Sequence, residues 1–142
     1  MFRSCTNLTH ITISIRLLML SNFIDNPSLT KIFKQIQSIQ SITDEFDLSA
    51  DFVFNFVQRF PSLTDIELKV LSFENCTNII NVFLHYLENL SYIKIHYSQI
   101  TLINDPFTCN RIIEKRRRNF HIDENKVKVK NNNGLIEIFL LK

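Results

Sequence analysis

One apolar pattern occurs four times along the chain at a nearly constant spacing. Its copies begin at Leu8, Ile36, Leu63 and Leu90, so the steps are 28, 27 and 27 residues. The first and fourth places of each copy are apolar, and so is the sixth, except at Ser41. A bulky apolar residue recurs at the eleventh place, as Leu18, Phe46, Phe73 and Ile100. A period in the twenties is typical of stacked repeats, so the pattern predicts a short α/β solenoid with a parallel sheet on one face and helices on the other.

Segments with helical spacing separate the strand patterns, and each has a polar residue that can cap its start. The predicted starts are Asn26-Pro27 for the first helix, Asp47 or Ser49 for the second, Asn75 or Thr77 for the third, and Asp105-Pro106 for the fourth. The second helix is predicted to end before Pro61, because the residue before proline is disfavoured in the helical region. The fourth is predicted to end near Phe120.

The end of the chain departs from the period. Val127 and Val129 alternate with lysines, an Asn-rich turn follows, and Ile136 and Ile138 then alternate with Glu137. This alternation predicts a β-hairpin over residues 126–140 that covers the open end of the sheet. We therefore expect a solenoid over residues 1–120, with units starting near 8, 36, 63 and 90, and a C-terminal cap over 121–142.

The segments 63–68 and 90–95 spell LTDIEL and LSYIKI, which follow the pattern LxxLxL. On these motifs the chain resembles leucine-rich-repeat proteins of the helix-containing kind over residues 7–120, and it is similar to the repeat regions of F-box-type leucine-rich proteins. The resemblance implies a substrate-receptor role in a ubiquitin ligase. Only seven residues precede Leu8 and no F-box is visible, so we expect either a fragment or the degenerate remnant of a longer gene.

Two departures from the family pattern carry expectations of their own. The ninth place, where the family commonly has Asn or Cys to tie neighbouring turns, holds Arg16, Asp44, Leu71 and Ser98. This predicts looser turns after the strands. Ser41, at an apolar place, predicts a local slip in the register of the second unit.

Alternation along the strands predicts which side chains face outward. Where Ile66 and Leu68 point into the core, their neighbours on the same strand must point to the opposite face. The outward set comprises Asp65, Glu67, Lys69, Tyr92, Lys94 and His96. We expect these residues to bind another protein on the concave sheet face, because exposed aromatic and charged residues are frequent interface anchors. The same side chains also fit simple cross-strand pairs, so both interpretations stay open.

The net charge of +2 is unevenly distributed. Residues 1–104 carry 7 Lys/Arg and 9 Asp/Glu, whereas residues 105–142 carry 9 and 5. The only charge run comprises Lys115, Arg116, Arg117 and Arg118, which are candidate anion contacts. They also fit the solvated end of a helix, where cations complement the helix dipole. The alternative function is therefore a nucleic-acid or nuclear-associated binding factor that uses this segment.

The composition offers little to catalysis. The four His and three Cys are scattered without metal-ligand spacing, and a chain with one Gly can hardly form a phosphate-binding loop. We expect no enzymatic activity, cofactor, bound metal or small-molecule substrate. The polar interruptions between Ile11 and Phe23 argue against a signal peptide or a membrane span, so a cytoplasmic or nuclear protein is expected.

Overall fold

One six-stranded sheet organises the chain in the computed structural model, which describes residues 7–41, 48–99, 108–132 and 134–140. Its strands are β1 (His10–Ile13), β2 (Ser38–Ser41), β3 (Asp65–Ser72), β4 (Tyr92–Gln99), β5 (Val127–Asn132) and β6 (Leu135–Leu140). They are ordered β1-β2-β3-β4-β6-β5. Strands β1 to β4 pair in parallel, β6 is antiparallel to β4, and β5 is antiparallel to β6. The α/β class, the parallel strands and the C-terminal hairpin are thus confirmed, whereas the solenoid and the division near residue 120 remain predictions.

Helices connect the parallel strands. They are α1 (Ile15–Met19), α2 (Ser21–Ile24), α3 (Pro27–Gln35), α4 (Ala50–Arg59), α5 (Phe73–Tyr86) and α6 (Cys109–Arg117), with a 3-10 helix at Glu124–Lys126. Helices α3 to α6 contact one another in chain order, and α5 also contacts β3 and β4. The α5–α6 pair therefore lies beside the part of the sheet that the hairpin extends.

The strand register reproduces the spacing of the apolar pattern. The fourth-place residues Ile11, Ile39, Ile66 and Ile93 are aligned partners across β1 to β4. The expected register slip at Ser41 is wrong, because Ser41 is the aligned partner of Ile13. Its side chain is buried, and its hydroxyl accepts a hydrogen bond from the backbone N–H of Lys69 at 3.2 Å. A serine is tolerated in the core because this bond satisfies its polar atom.

A ladder of backbone hydrogen bonds joins the units at their second places. The carbonyl at each second place accepts bonds from two successive N–H groups of the next unit. These bonds run from Gln37 and Ser38 to Thr9, from Thr64 and Asp65 to Gln37, and from Ser91 and Tyr92 to Thr64. The cap continues the series, because the N–H of Leu140 donates to the carbonyl of Ser91 at 2.7 Å.

Polar side chains join neighbouring units at two places near the ends of the strands, and the expectation of looser turns remains a prediction. At the ninth place, the hydroxyl of Ser98 donates to the carbonyl of Leu71 at 3.1 Å. The buried Asn75 side chain accepts from the N–H of Leu48 at 3.0 Å and donates to its carbonyl at 2.7 Å. These contacts span 27 residues each, so polar ties between units exist without the family's ninth-place ladder.

The predicted helix starts are correct for α3 and α4, where Asn26 and Ser49 cap. Helix α5 begins earlier than predicted, with Ser72 as its N-cap, because β3 runs into the helix without a loop. Helix α6 is capped by Thr108 and ends at Arg117, three residues before the predicted end. The predictions for Asp47, Phe46, Ile100, Asp105 and Pro106 lie outside the described residues.

The core is a continuous apolar layer between the helices and the inner sheet face. A chain of phenyl rings links three helices through it. The distances between ring centroids are 4.7 Å from Phe33 of α3 to Phe60, 5.0 Å from Phe60 to Phe56 of α4, and 5.9 Å from Phe56 to Phe83 of α5. Since each buried ring contributes about 1.5–3 kcal/mol, this layer dominates over surface contacts and holds the sheet in place.

Candidate partner-binding face

The side of the sheet opposite the helices carries ordered rows of polar and aromatic side chains, which we call the outer sheet face. One row comprises His10, Ser38, Asp65, Tyr92, Phe139 and Lys128, and the next comprises Thr12, Gln40, Glu67, Lys94, Glu137 and Lys130. Alternate residues on the same strands, such as Ile66 and Ile93, are buried. The strand register therefore fixes which side chains lie next to each other on this face.

The structure brings the six predicted contact residues together on two adjacent strands. The aligned partners are Asp65 and Tyr92, Glu67 and Lys94, and Lys69 and His96. All six are half-buried. The prediction of their orientation is correct, and their role in binding remains a prediction.

Glu67 lies at the centre of the charged contacts on this face. Its Oε1 is 3.7 Å from Nζ of Lys94 and 3.4 Å from Nε2 of His96. Cross-strand pairs at partly exposed positions contribute only about 0.2–1 kcal/mol, because water and salt screen them. In the isolated chain, Glu67 and Lys94 therefore form a simple cross-strand pair, which is the second interpretation that the sequence left open.

The hairpin extends the face with residues that the sequence analysis did not select. Strand β6 places Phe139 beside Tyr92 with ring centroids 5.0 Å apart, and the Tyr92 hydroxyl donates to Glu137 at 3.1 Å. Strand β5 adds Lys130, whose Nζ lies 5.6 Å from the centroid of the Phe139 ring. The alternation of Glu137 and Phe139 with buried isoleucines indicates their orientation. No local pattern specifies that β6, and not β5, is the hairpin strand that pairs with β4.

The environment of Tyr92 is acidic. Burial and the hydrogen-bonded Glu137 carboxylate raise the pKa of Tyr92 to about 12, and Glu67 and Asp65 act in the same direction. The phenol therefore stays protonated at neutral pH and remains a hydrogen-bond donor to Glu137. An aromatic pair on β4 and β6 thus lies between the carboxylates of β3 and the lysines of β5.

The basic run does not form a single patch, and the structure corrects one of its members. Arg116 is 2 % exposed, and its guanidinium donates to the carbonyls of Leu84 at 2.9 Å and Glu88 at 2.8 Å. It also lies 4.3 Å from the centroid of the Phe120 ring. Burial lowers the pKa of Arg116 to about 10. Arg116 is therefore a structural residue at the end of α5 and is not accessible as an anion contact.

The other three cations each have a polar partner. The pairs are Arg117 with Glu124, Arg118 with Glu114 at 3.6 Å, and Lys115 with the side-chain oxygen of Asn81. Arg117 and Arg118 are exposed, whereas Lys115 is half-buried against α5. The four basic residues therefore do not share one environment: one is buried, one is half-buried and two are exposed.

The thiol of Cys76 lies in the core and not on the surface. Cys76 is buried, and burial raises its pKa to about 12, so its thiol is a poor nucleophile. Within the described ranges, no cluster of three or more His, Cys, Asp or Glu is placed to hold a metal ion. Along the same ranges, no helix combines the length and apolar character that crossing a bilayer requires. Comparison with protein-family models, with curated proteins and with solved structures finds no match for this chain.

Proposed function

We propose that the chain is a non-catalytic scaffold that binds another protein through the outer sheet face. The observation that carries the proposal is the aromatic pair of Tyr92 and Phe139, which is half-buried on β4 and β6 with charged side chains on both neighbouring strands. Aromatic residues ringed by polar groups are the usual anchors of protein interfaces. A sheet fixed by many backbone bonds presents them with little conformational entropy to lose on binding.

The finer architecture is part of the same proposal. The four parallel units are interpreted as turns of a leucine-rich-repeat solenoid, supported by the constant register of 27 or 28 residues and by the repeated carbonyl ladder. The role as substrate receptor of a ubiquitin ligase, in the cytoplasm or the nucleus, rests on the resemblance in the LxxLxL motifs alone.

The alternative, a nucleic-acid or nuclear-associated factor, has one supporting observation. Lys128 and Lys130 project from β5 beside Phe139, and aromatic rings next to lysines can stack bases and hold phosphates. Against it, Glu137 and Glu67 lie close to the same rings and would repel a polyanion. The buried Arg116 also removes one cation from the basic run. Protein binding is therefore the better supported of the two.

Affinity capture with the full chain tests the proposal when variants are compared quantitatively. Tyr92→Ala removes one ring of the aromatic pair, and Lys31→Ala on the exposed side of α3 serves as a surface control. We expect Tyr92→Ala to lower the amount of captured protein by roughly tenfold or more, because aromatic anchors of interfaces contribute about 2 kcal/mol or more. The Lys31→Ala variant should retain them.

Two results would contradict the proposal. One is equal capture by both variants after thermal melts have shown that Tyr92→Ala is folded. The other is capture that disappears after nuclease treatment, which would favour the nucleic-acid alternative.

A further inference from the structure

A cleft opens on the helical side of the molecule, away from the outer sheet face. It lies between α5 and α6 and has a volume of about 300 Å³. The described residues that line it are Asn81, Val82, His85, Tyr86, Lys115 and Arg118. This is the lower end of the range for small-ligand pockets, enough for a small polar group and a few further atoms.

The α6 wall of the cleft is cationic. Arg111, Lys115 and Arg118 follow one another at intervals of four and three residues, which places them along one face of the helix and its last turn. The wall from α5 contributes an amide, an imidazole and a phenol, and the six described lining residues include no carboxylate. The nearest acid, Glu114, pairs with Arg118 at 3.6 Å where both side chains are about 70 % exposed, so the pair is weak and screened.

Lys115 is the central residue of the cleft. Its ammonium donates one hydrogen bond to the side-chain oxygen of Asn81, and an ammonium has three N–H donors. Burial and the neighbouring Arg111 and Arg118 lower the pKa of Lys115. The protein thus holds a partly desolvated cation next to like charges, with a neutral amide as its hydrogen-bond partner. An anion in the cleft would offset this unfavourable arrangement.

We propose that the cleft between α5 and α6 binds a phosphomonoester group. A phosphomonoester carries about two negative charges and three terminal oxygens near neutral pH, so it can accept bonds from Lys115 and Arg118 together. A free phosphate ester and a phosphorylated side chain share this chemistry. The site is separate from the outer sheet face, so it stands or falls independently of the proposed function.

A polynucleotide fits the same cations less well. Binding of a nucleic-acid backbone depends on a tract of cations that each neutralise a phosphate. Here Arg116 is buried and Arg117 is paired with Glu124, so the run offers the cleft only Lys115 and Arg118. Arg111 does not line the cleft but is close enough to act on Lys115. One doubly charged group matches the pair of Lys115 and Arg118 better than a chain of singly charged diesters.

Nuclear magnetic resonance titration of the full chain tests the proposal. Inorganic phosphate, phenyl phosphate and dimethyl phosphate are added at constant ionic strength, and amide shifts are followed. We expect saturable shifts at Asn81, His85 and Lys115 with phosphate and phenyl phosphate at roughly millimolar dissociation constants, and at least several-fold weaker binding of the diester.

Variants decide whether the cleft is responsible. Lys115→Gln should weaken phenyl phosphate binding by roughly tenfold, since a bond to a charged partner is lost. Arg118→Gln, at an exposed position that does not endanger folding, should weaken it several-fold. Lys31→Gln on α3 leaves the cleft unchanged and should bind as the wild type does.

The outcomes separate cleanly. If phenyl phosphate or a phosphoserine peptide binds at least roughly tenfold tighter than phosphate, the extra contacts identify an ester or a phosphorylated side chain as the source. Equal binding identifies the phosphate group itself as what the cleft recognises. Absence of saturable shifts, or wild-type affinity in Arg118→Gln, would overturn the proposal. So would tighter binding of an RNA oligonucleotide with shifts centred on Lys128 and Lys130.

Discussion

Replacing Asn75 with alanine removes a side chain that joins two neighbouring units. Asn75 lies in the first turn of α5, is 5 % exposed, and bonds to both the N–H and the carbonyl of Leu48. Leu48 is buried as well. In the variant, these two backbone groups lose the partner that Asn75 provides at a place with little access to water.

The expected loss follows from those two groups. A buried backbone donor or acceptor without its partner costs about 1–3 kcal/mol, and the better helix propensity of alanine returns about 0.5 kcal/mol. We therefore expect Asn75→Ala to lower the free energy of unfolding by about 2–4 kcal/mol. Because domains of this size are stable by about 5–15 kcal/mol, the variant should still fold and its loss should be measurable.

Urea unfolding followed by circular dichroism at pH 7 measures the difference. Asn78→Ala is the matched control, because Asn78 lies on the same helix with an exposed side chain. This control should equal the wild type or exceed it by about 0.5 kcal/mol. Hydrogen exchange should also become faster at the amide of Leu48. If Asn75→Ala unfolds within about 0.5 kcal/mol of the wild type, or if Asn78→Ala loses as much, the tie has no energetic role.

Three further predictions concern other single positions. Arg116→Lys should lower the free energy of urea unfolding by about 2–3 kcal/mol, because one ammonium cannot donate to both carbonyls as the guanidinium does. Arg118→Lys, at a side chain that is 69 % exposed, should stay within about 0.5 kcal/mol of the wild type, and equal losses in the two variants would refute the prediction. Iodoacetamide at pH 8 should modify Cys109 about 100-fold faster than Cys76, as read by mass spectrometry, because burial raises the Cys76 pKa to about 12. The folded state then binds the Cys76 proton more tightly than the unfolded state does. The stability that depends on the protonated thiol is therefore intact below pH 9 and is lost as the pH rises from 9 to about 12. The Cys76→Ala variant should lack this pH dependence of the free energy of unfolding. Gly134→Ala should cost about 1–2 kcal/mol in thermal denaturation, because its φ is +86° and a Cβ would lie 3.2 Å from the carbonyl oxygen of Tyr97; an unchanged melting temperature would contradict it.

Strand positions and side-chain orientation were predictable because they depend on local spacing. Ile11, Ile39, Ile66 and Ile93 recur at a constant interval, and each is an aligned strand partner in the sheet. Alternation then dictates the opposite face for Glu67 and its neighbours. A pattern of period two within a strand carries this information whatever the rest of the chain does.

Contacts between distant units were not predictable from the same patterns. The bond from Tyr92 to Glu137 spans 45 residues, and that from Arg116 to the carbonyl of Leu84 spans 32. Whether β5 or β6 pairs with β4 depends on how the cap packs, and nothing within the hairpin specifies it. The aromatic pair of the candidate face was therefore only half identified from the sequence, through Tyr92 without Phe139.

The burial of Arg116 nevertheless follows from a requirement that the sequence contains. The last carbonyls of a helix lack partners within it, and many helices satisfy them through a glycine in the left-handed conformation. The chain has one Gly, at position 134, so α5 must find donors elsewhere for its final turn. Arg116 follows the buried Ile112 by four residues on the inner face of α6, and its planar fork meets the carbonyls of Leu84 and Glu88 there. The carbonyls of Leu84 and Glu88 thus hold one cation of the charge run inside the protein, whereas Lys115 and Arg118 on the adjacent surface face the cleft.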